Sequence, residues 1–200
     1  MEIFNCEQGT DEWLMCRMGI PTASMFSTVM ASGKGGSESK TRRTYMLKLV
    51  GERITGELSE NYKNEHMQRG NEMEPEARAA YEFMNNVTCV QVGFIKNHGA
   101  GASLDSIVND DGAVEIKTKL PHLQLDVLLS DAVPAEHIPQ IQGQMWISER
   151  EWVDFVSYWP KLPMFTKRVY RDDAYINTKL WPAIDKFNEE LDKMTTRFSV

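Results

Sequence analysis

Asp105, Glu115 and Lys117 lie in the short run GASLDSIVNDDGAVEIKTK, residues 101–119. Within it, residues 109–112, Asn-Asp-Asp-Gly, predict a tight turn between two strands. Because side chains alternate along a strand, Glu115 and Lys117 share one face, and the turn brings Asp105 back towards Glu115. Carboxylate oxygens bind Mg2+ or Mn2+, and a neighbouring lysine can orient or deprotonate a water molecule. The set suits metal-dependent cleavage of a phosphodiester, although the same pattern is also typical of a solvated strand face.

The segments around this run predict an α/β protein. Apolar periodicity predicts helices over residues 11–17, 24–30, 41–56, 67–85, 137–148 and 173–194. Alternating or continuous apolar runs predict strands over residues 87–95, 101–108, 113–119, 152–159 and 167–170. Pro75 lies inside the fourth helix, which is therefore expected to kink or to begin anew there. Helices at both ends, strands in the middle and a helix crossing between strands predict a central mixed β-sheet flanked by helices.

The composition predicts a single folded domain over residues 1–200. Hydrophobic residues make up 42% of the chain, which is enough for a core, and the apolar runs are too short to cross a bilayer. The net charge of -7 argues against a general nucleic-acid coat protein, which would be basic. It does not exclude a nuclease, because a carboxylate-rich metal site adds negative charge that bound cations offset.

Two further features concern the compartment and the partners of the chain. The three cysteines, Cys6, Cys16 and Cys89, are scattered and lack metal-ligand spacing, so we expect reduced thiols in a cytosolic protein. Residues 34–53 carry six lysines and arginines but only two acids. This stretch is either a local DNA-contacting patch or a solvated helix face, and the charge pattern alone leaves both readings open.

Four segments together resemble the phage lambda-type exonuclease family of viral recombinases, within the PD-(D/E)xK nuclease superfamily. They occur in the family's order, cover roughly residues 7–160, and read QGTDEWLMCRMGIPTAS, RGNEMEPEARAAYE, ASLDSIVNDDGAVEIKTK and PQIQGQMWIS. Each segment is modest alone, and the combination is specific. The resemblance implies an α/β fold with a restriction-endonuclease-like core.

The resemblance also implies an activity and partners. The family's members are Mg2+-dependent 5′→3′ exonucleases, with Mn2+ as a possible substitute and two ions per site. They degrade one strand of linear double-stranded DNA to mononucleotides and leave a 3′ single strand for recombination by strand annealing. A toroidal homotrimer around the DNA, a single-strand annealing protein as partner, no membrane association, and the cytoplasm of a bacterial host are implied in the same way.

The resemblance assigns catalytic roles residue by residue. Asp105 and Glu115 match the metal-binding carboxylates, and the backbone carbonyl of Ile116 would be a further ligand. Glu74 matches the helix glutamate that supports the second metal ion or its waters. Lys117 matches the catalytic lysine. Taken without the resemblance, Glu74 beside a proline is more typical of an acid in the first turn of a helix.

The resemblance and the basic stretch also assign residues to DNA. The proposed 5′-phosphate pocket consists of Arg17, Ser24, Ser103 and Gln140, whose guanidinium, hydroxyl and amide groups suit phosphate oxygens. Arg42 and Arg43 are expected to contact the DNA backbone. Read alone, Gln140 shares a helix face with Gln144, and both side chains could simply meet solvent.

Two positions depart from the family's pattern. Leu104 precedes Asp105 where the family usually has proline, and Ser106 follows it where glycine or arginine is common. We expect a change in local rigidity more than a loss of chemistry, because Asp105 itself is kept. Two other functions stay open: a structure-specific or restriction-type endonuclease of the same fold, and a non-catalytic module that binds DNA ends.

Overall fold

The computed structural model describes residues 1–59 and 65–199. The strands are β1 (Glu2–Phe4), β2 (Cys89–Val90), β3 (Phe94–Asn97), β4 (Ala100–Ala102), β5 (Ser106–Val108), β6 (Gly112–Thr118), β7 (Trp152–Tyr158) and β8 (Phe165–Tyr170). The helices are α1 (Asp11–Arg17), α2 (Phe26–Val29), α3 (Lys40–Thr55), α4 (Glu65–Asn85), α5 (Pro121–Ser130), α6 (Ile138–Ser148), α7 (Asp173–Tyr175) and α8 (Trp181–Phe198). Within these ranges, no helix is both long and apolar enough to span a membrane.

Five strands form a mixed sheet in the order β2-β5-β6-β7-β8. The central pair, β6 and β7, is parallel, and the other pairs are antiparallel. A parallel pair needs a long crossover, and α5 and α6 supply it here. The predicted class, an α/β fold with a mixed sheet flanked by helices, is confirmed.

Both faces of the central strands are covered by helices. All seven residues of β7 are buried, as its continuous apolar run predicts. On one face, Val156 belongs to a hydrophobic cluster with Ala77 and Tyr81 of α4. On the other, Phe155 belongs to a cluster with Ile141 of α6. Helices α4 and α6, which carry Glu74 and Gln140, therefore pack on opposite faces of the sheet that contains Glu115 and Lys117.

Two predicted strands were wrong as continuous elements. Residues 87–95 divide into β2 and β3, and residues 101–108 divide into β4 and β5. In each case the second sheet, ordered β1-β3-β4, takes one part and the five-stranded sheet takes the other. The Gln8 side chain contacts both segments where a predicted strand divides. Its amide donates to the Val92 carbonyl at 2.7 Å and to the Leu104 carbonyl at 2.8 Å. The second break leaves residues 103–105 outside either ladder.

The predicted helices agree with the structure better than the predicted strands do. Helix α4 runs from Glu65 to Asn85 with Pro75 inside it, so the helix does not begin anew at that proline. Helix α3 begins after Ser39, whose hydroxyl accepts from the Arg42 amide, and ends at Gly56 in the left-handed conformation. Strand β1 and helix α5 were not predicted, because β1 is three residues long and α5 has leucines on several sides.

Candidate active site

The hairpin of β5 and β6 brings the two predicted carboxylates together. Asp105 precedes β5, and the register pairs its neighbour Ser106 with Val114, next to Glu115. The Asp105 carboxylate accepts a hydrogen bond from the Ile116 amide at 2.6 Å. The position of Asp105 is thus fixed by the backbone of the same strand that carries Glu115 and Lys117.

Two glutamine side chains of helix α6 hold the Glu115 carboxylate. This side chain is 2% exposed, and one oxygen accepts from the Gln140 amide at 2.7 Å and lies 2.5 Å from the Lys117 ammonium. The other oxygen accepts from the Gln144 amide at 2.5 Å. Gln144 is completely buried. The alternative in which this helix face meets solvent is therefore wrong, because the face binds Glu115.

Helix α4 holds Glu74 beside Arg78, one turn further along. Their side chains form an ion pair. The Arg78 guanidinium also donates to the Ser106 hydroxyl at 3.0 Å, and that hydroxyl donates to the Asp105 carbonyl at 2.6 Å. Sequence reasoning did not single out Arg78, although its i,i+4 spacing from Glu74 was a usable signal.

Burial and neighbouring charges shift the pKa values of Asp105, Glu74 and Lys117. Burial raises the pKa of Asp105 well above its usual range, and the negative charges of Glu115 and Glu74 raise it further. Burial also raises the pKa of Glu74, against the opposing effect of Arg78. For Lys117, burial lowers the pKa, but the neighbouring carboxylates of Glu115 and Asp105 outweigh it and the net shift is upward. Ionising these buried carboxylates side by side is therefore unfavourable, and a bound cation would offset that cost.

A cavity of about 190 Å3 opens onto these groups, and we call it the carboxylate cavity. Its lining joins the hairpin residues to the N-terminal segment: Gln8, Trp13, Arg17, Thr22, Ser24, Ser103, Asp105, Glu115, Lys117 and Gln140. Arg17 donates to the Ser103 hydroxyl at 3.1 Å, and Trp13 donates to the same oxygen at 2.8 Å. The Arg17 guanidinium lies 4.1 Å from the Trp13 ring centroid. All four residues expected to form the 5′-phosphate pocket thus line one cavity with Asp105, Glu115 and Lys117.

Arg42 and Arg43 lie outside this lining. Arg42 pairs with Glu190 of α8 at 2.8 Å and donates to the Val29 carbonyl at 3.1 Å, so it connects α3 to its neighbours. Arg43 is exposed and pairs with Glu38 at 3.1 Å. Contact of either residue with DNA stays a prediction, and the pairing of Arg42 makes it the less available of the two.

The donor set suits a hard divalent cation. Asp105 and Glu115 offer carboxylate oxygens, as does Glu74, and such oxygens are the ligands that Mg2+ prefers. Within residues 1–59 and 65–199, no three His, Cys, Asp or Glu side chains already form a cluster arranged to hold a metal. The Glu115 carboxylate contacts Lys117 and two side-chain amides, and the Glu74 carboxylate pairs with Arg78. A cation would therefore compete with Lys117 for the charge of Glu115.

One sequence family matches most of the chain. The family model of the YqaJ-like viral recombinase domain matches residues 12–151. No curated protein matches the sequence.

Solved structures show the same fold. One match is the crystal structure of LHK-Exo in complex with dAMP. Its sequence is 35% identical to this chain, and the TM-score is 0.85 over 94% of this chain and 95% of that one. The alkaline exonuclease LHK-Exo from Laribacter hongkongensis gives the same values. A phage related exonuclease from Haemophilus somnus 129PT is 15% identical, with a TM-score of 0.62 over 87% of this chain and 95% of that one, a likeness of fold.

Proposed function

This chain belongs to the YqaJ-like viral recombinase domain family, and we propose that it is a Mg2+-dependent exonuclease acting in the 5′→3′ direction on linear double-stranded DNA. It releases mononucleotides from one strand and leaves a 3′ single strand for recombination by strand annealing. The likeness to LHK-Exo, an alkaline exonuclease, supports the exonuclease activity. The direction, the duplex substrate and the metal are parts of this proposal.

One observation carries the proposal: a single cavity is lined by both halves of the expected site. Its lining contains Asp105, Glu115 and Lys117, and also Arg17 and Ser103. An exonuclease that acts at a 5′ end needs this combination, because it must hold a terminal phosphate while it cleaves the next phosphodiester. Holding both in one orientation is itself a source of rate enhancement.

The carboxylates would hold the metal ions, and Lys117 would take part in the transfer of the proton. Asp105, Glu115 and the Ile116 carbonyl would bind Mg2+, with Glu74 supporting a second ion or its waters. Bound Mg2+ supplies neutralisation of the charge on the scissile phosphate. Lys117 would orient the attacking water, and it can accept the proton of that water only as the neutral amine, after losing its own proton and its ion pair with Glu115. Neutralisation of the adjacent carboxylates by bound cations would favour that loss, because those carboxylates raise the pKa of Lys117.

The arginine and the serines of the lining would bind the 5′-phosphate. Arg17 and the Ser103 hydroxyl already contact each other, and Ser24 is exposed at the cavity wall. Guanidinium and hydroxyl donors match phosphate oxygens. Gln140 has a second role, since its amide donates to Glu115 at 2.7 Å. We assign it to positioning that carboxylate as well as to lining the phosphate pocket.

The proposal extends to the partners of the chain. Its substrate is the end of a DNA duplex, its assembly is a homotrimer that surrounds the DNA, and it works beside a single-strand annealing protein. Family membership supports these assignments.

The activity is tested with linear duplex DNA carrying either a 5′-phosphate or a 5′-hydroxyl, in the presence of Mg2+. We expect mononucleotide release that is faster from the phosphorylated end. Lys117→Ala should lower the rate by about 10²–10⁴-fold, the usual contribution of a positioned proton-transfer group. Lys119→Ala is the matched control, because this lysine lies two residues along the same chain and its ammonium contacts His137 at 3.2 Å instead.

Circular duplex DNA separates the alternatives. Cleavage of a closed circle would replace the exonuclease with an endonuclease of the same fold. Binding of DNA ends without Mg2+-dependent digestion would instead favour a non-catalytic end-binding module. Equal digestion rates from 5′-phosphate and 5′-hydroxyl ends would contradict the proposed phosphate pocket, while the nuclease activity itself would stand.

A further inference from the structure

A second, larger cavity of about 390 Å3 adjoins the carboxylate cavity, and we call it the apolar cavity. The two share four lining residues, Trp13, Arg17, Thr22 and Ser24. The rest of its lining is largely apolar and includes Leu14, Met18, Ile20, Met25 and Leu49. The proposed 5′-phosphate site therefore lies at the junction of a polar space and an apolar one.

The carboxylate cavity is small for its proposed task. Ligand pockets usually measure about 300–1,000 Å3, and 190 Å3 lies below that range. This space must take a terminal phosphate, a sugar and the scissile phosphate, which leaves little room for a base. The apolar cavity alone lies within the range and begins at the same arginine.

The walls of the apolar cavity are fixed before any ligand arrives. The Tyr45 hydroxyl accepts from the Thr22 amide at 3.1 Å. The Glu52 carboxylate accepts from the Gly19 amide at 2.9 Å, and Arg53 donates to the Gly19 carbonyl at 2.6 Å. A preformed pocket binds without first ordering its loops, which improves affinity.

Charge places the phosphate end of a nucleotide at the junction of the two cavities. Glu52 and Lys48 both line the apolar cavity and pair at 3.9 Å, so their charges offset each other there. Arg17 and Ser103 attract the phosphate towards the junction. A nucleobase, by contrast, is a flat ring with apolar faces, which match the apolar side chains that line this cavity.

We propose that the apolar cavity receives the base of the 5′-terminal nucleotide while its phosphate lies against Arg17. The inference rests on the proposed function, because that function places the 5′-phosphate at the junction. Met18 and Met25 suit a site that must accept every base, since methionine side chains adapt to differently shaped partners. The pocket binds the base without selecting among the four.

Isothermal titration calorimetry with dAMP and with deoxyribose 5-phosphate tests the proposal. The two ligands share the sugar and the phosphate, so their difference in affinity isolates the base. We expect dAMP to bind at least about tenfold more tightly, equivalent to about 1.4 kcal/mol. Deoxycytidine 5′-phosphate should show most of the same gain.

Leu14→Trp tests the location, because Leu14 lines the apolar cavity and does not line the carboxylate cavity. The added ring should fill the space and lower the affinity for dAMP about tenfold, with deoxyribose 5-phosphate unaffected. Met15→Trp is the matched control, since Met15 is the next residue of α1 and is 51% exposed. Leu14→Trp must keep a wild-type unfolding transition for its result to count.

Three outcomes would overturn the inference: equal affinity for the two ligands, no binding of dAMP at millimolar concentration, or equal weakening of both ligands by Leu14→Trp. The digestion assay separates these from failure of the proposed function. Normal digestion without a base contribution rejects the pocket alone. Selective dAMP binding without digestion rejects the exonuclease and keeps the pocket.

Discussion

The residues on either side of Asp105 show how this chain keeps its central carboxylate in place without the family's usual proline. Leu104 is completely buried, and its carbonyl accepts from Gln8 at 2.8 Å. On the other side, the Ser106 hydroxyl donates to the Asp105 carbonyl and accepts from Arg78. Hydrogen bonds from separate parts of the chain thus restrict a backbone that a proline ring would restrict locally. This accounts for both departures at residues 104 and 106.

Arg78 joins this segment to Glu74, so its removal should weaken the metal site. We expect Arg78→Ala to lower the affinity for Mn2+ by about 10–100-fold, the usual effect of losing a group that orients metal ligands. Calorimetric titration of Mn2+ measures this directly, without an activity assay. Ser106→Ala should act in the same direction and less strongly, because it removes one contact of Arg78.

Arg197→Ala is the control for this prediction, since Arg197 is an exposed helix arginine in α8. An unchanged Mn2+ affinity in Arg78→Ala, with normal folding, would mean that the guanidinium only neutralises Glu74. A urea titration of each variant distinguishes a direct loss of Mn2+ affinity from a loss caused by unfolding.

At the scale of elements, helix α6 positions the site because it approaches its neighbours closely. A Cβ atom on Gly143 would lie 2.3 Å from the Phe26 ring, which is itself completely buried. Glycine is thus required at this position for packing. On the same helix, Gln140 and Gln144 lie three residues before and one residue after it, and both bind Glu115.

Gly143→Ala should therefore be destabilising even though alanine favours helices. Overpacking of a core contact costs about 1–3 kcal/mol, and the helix must shift away from Phe26. That shift moves the amides that hold Glu115, so we expect exonuclease activity to fall as well. Urea unfolding and the digestion assay measure the two effects.

The matched control is Gly51→Ala in α3, where a Cβ would meet nothing within 4 Å. The same substitution should there stabilise the protein by up to about 1 kcal/mol. If the two variants behave alike, close packing of α6 is not what requires glycine.

The whole molecule presents apolar side chains that one chain leaves uncovered. Phe83 is 89% exposed near the end of α4, and Leu129 is 86% exposed on α5. Apolar residues exposed singly are common on monomeric proteins, so the proposed homotrimer rests on family membership, and these residues are candidates for its contacts.

Sedimentation equilibrium should give a mass of about three times the 22.9 kDa of one chain. Phe83→Ser should shift the population towards smaller species, because it removes an apolar contact. Phe198→Ser, at a 55% exposed position near the C-terminus, is the control. A mass of one chain at every concentration tested would contradict the trimer.

The sequence alone determined the features that depend on neighbouring residues. The turn at 109–112 and the alternation of β6 were enough to place Asp105 near Glu115 and Lys117 on one hairpin, and four motifs in order were enough to indicate the family. Helix α1 also follows its local signals, since the Thr10 hydroxyl accepts from the Trp13 amide at 3.3 Å. Such features are set by interactions within a few residues, and the sequence displays those directly.

Only the tertiary structure decided which distant groups complete the site. It turned Gln144 towards Glu115, joined Arg78 to the Asp105 segment, divided the strand at 103–105 between two sheets, and tied Arg42 to Glu190. Each of these contacts joins residues 28 to 148 positions apart. The same side-chain types would equally suit solvent or DNA, and the choice depends on which surfaces the packed helices and sheets bring together.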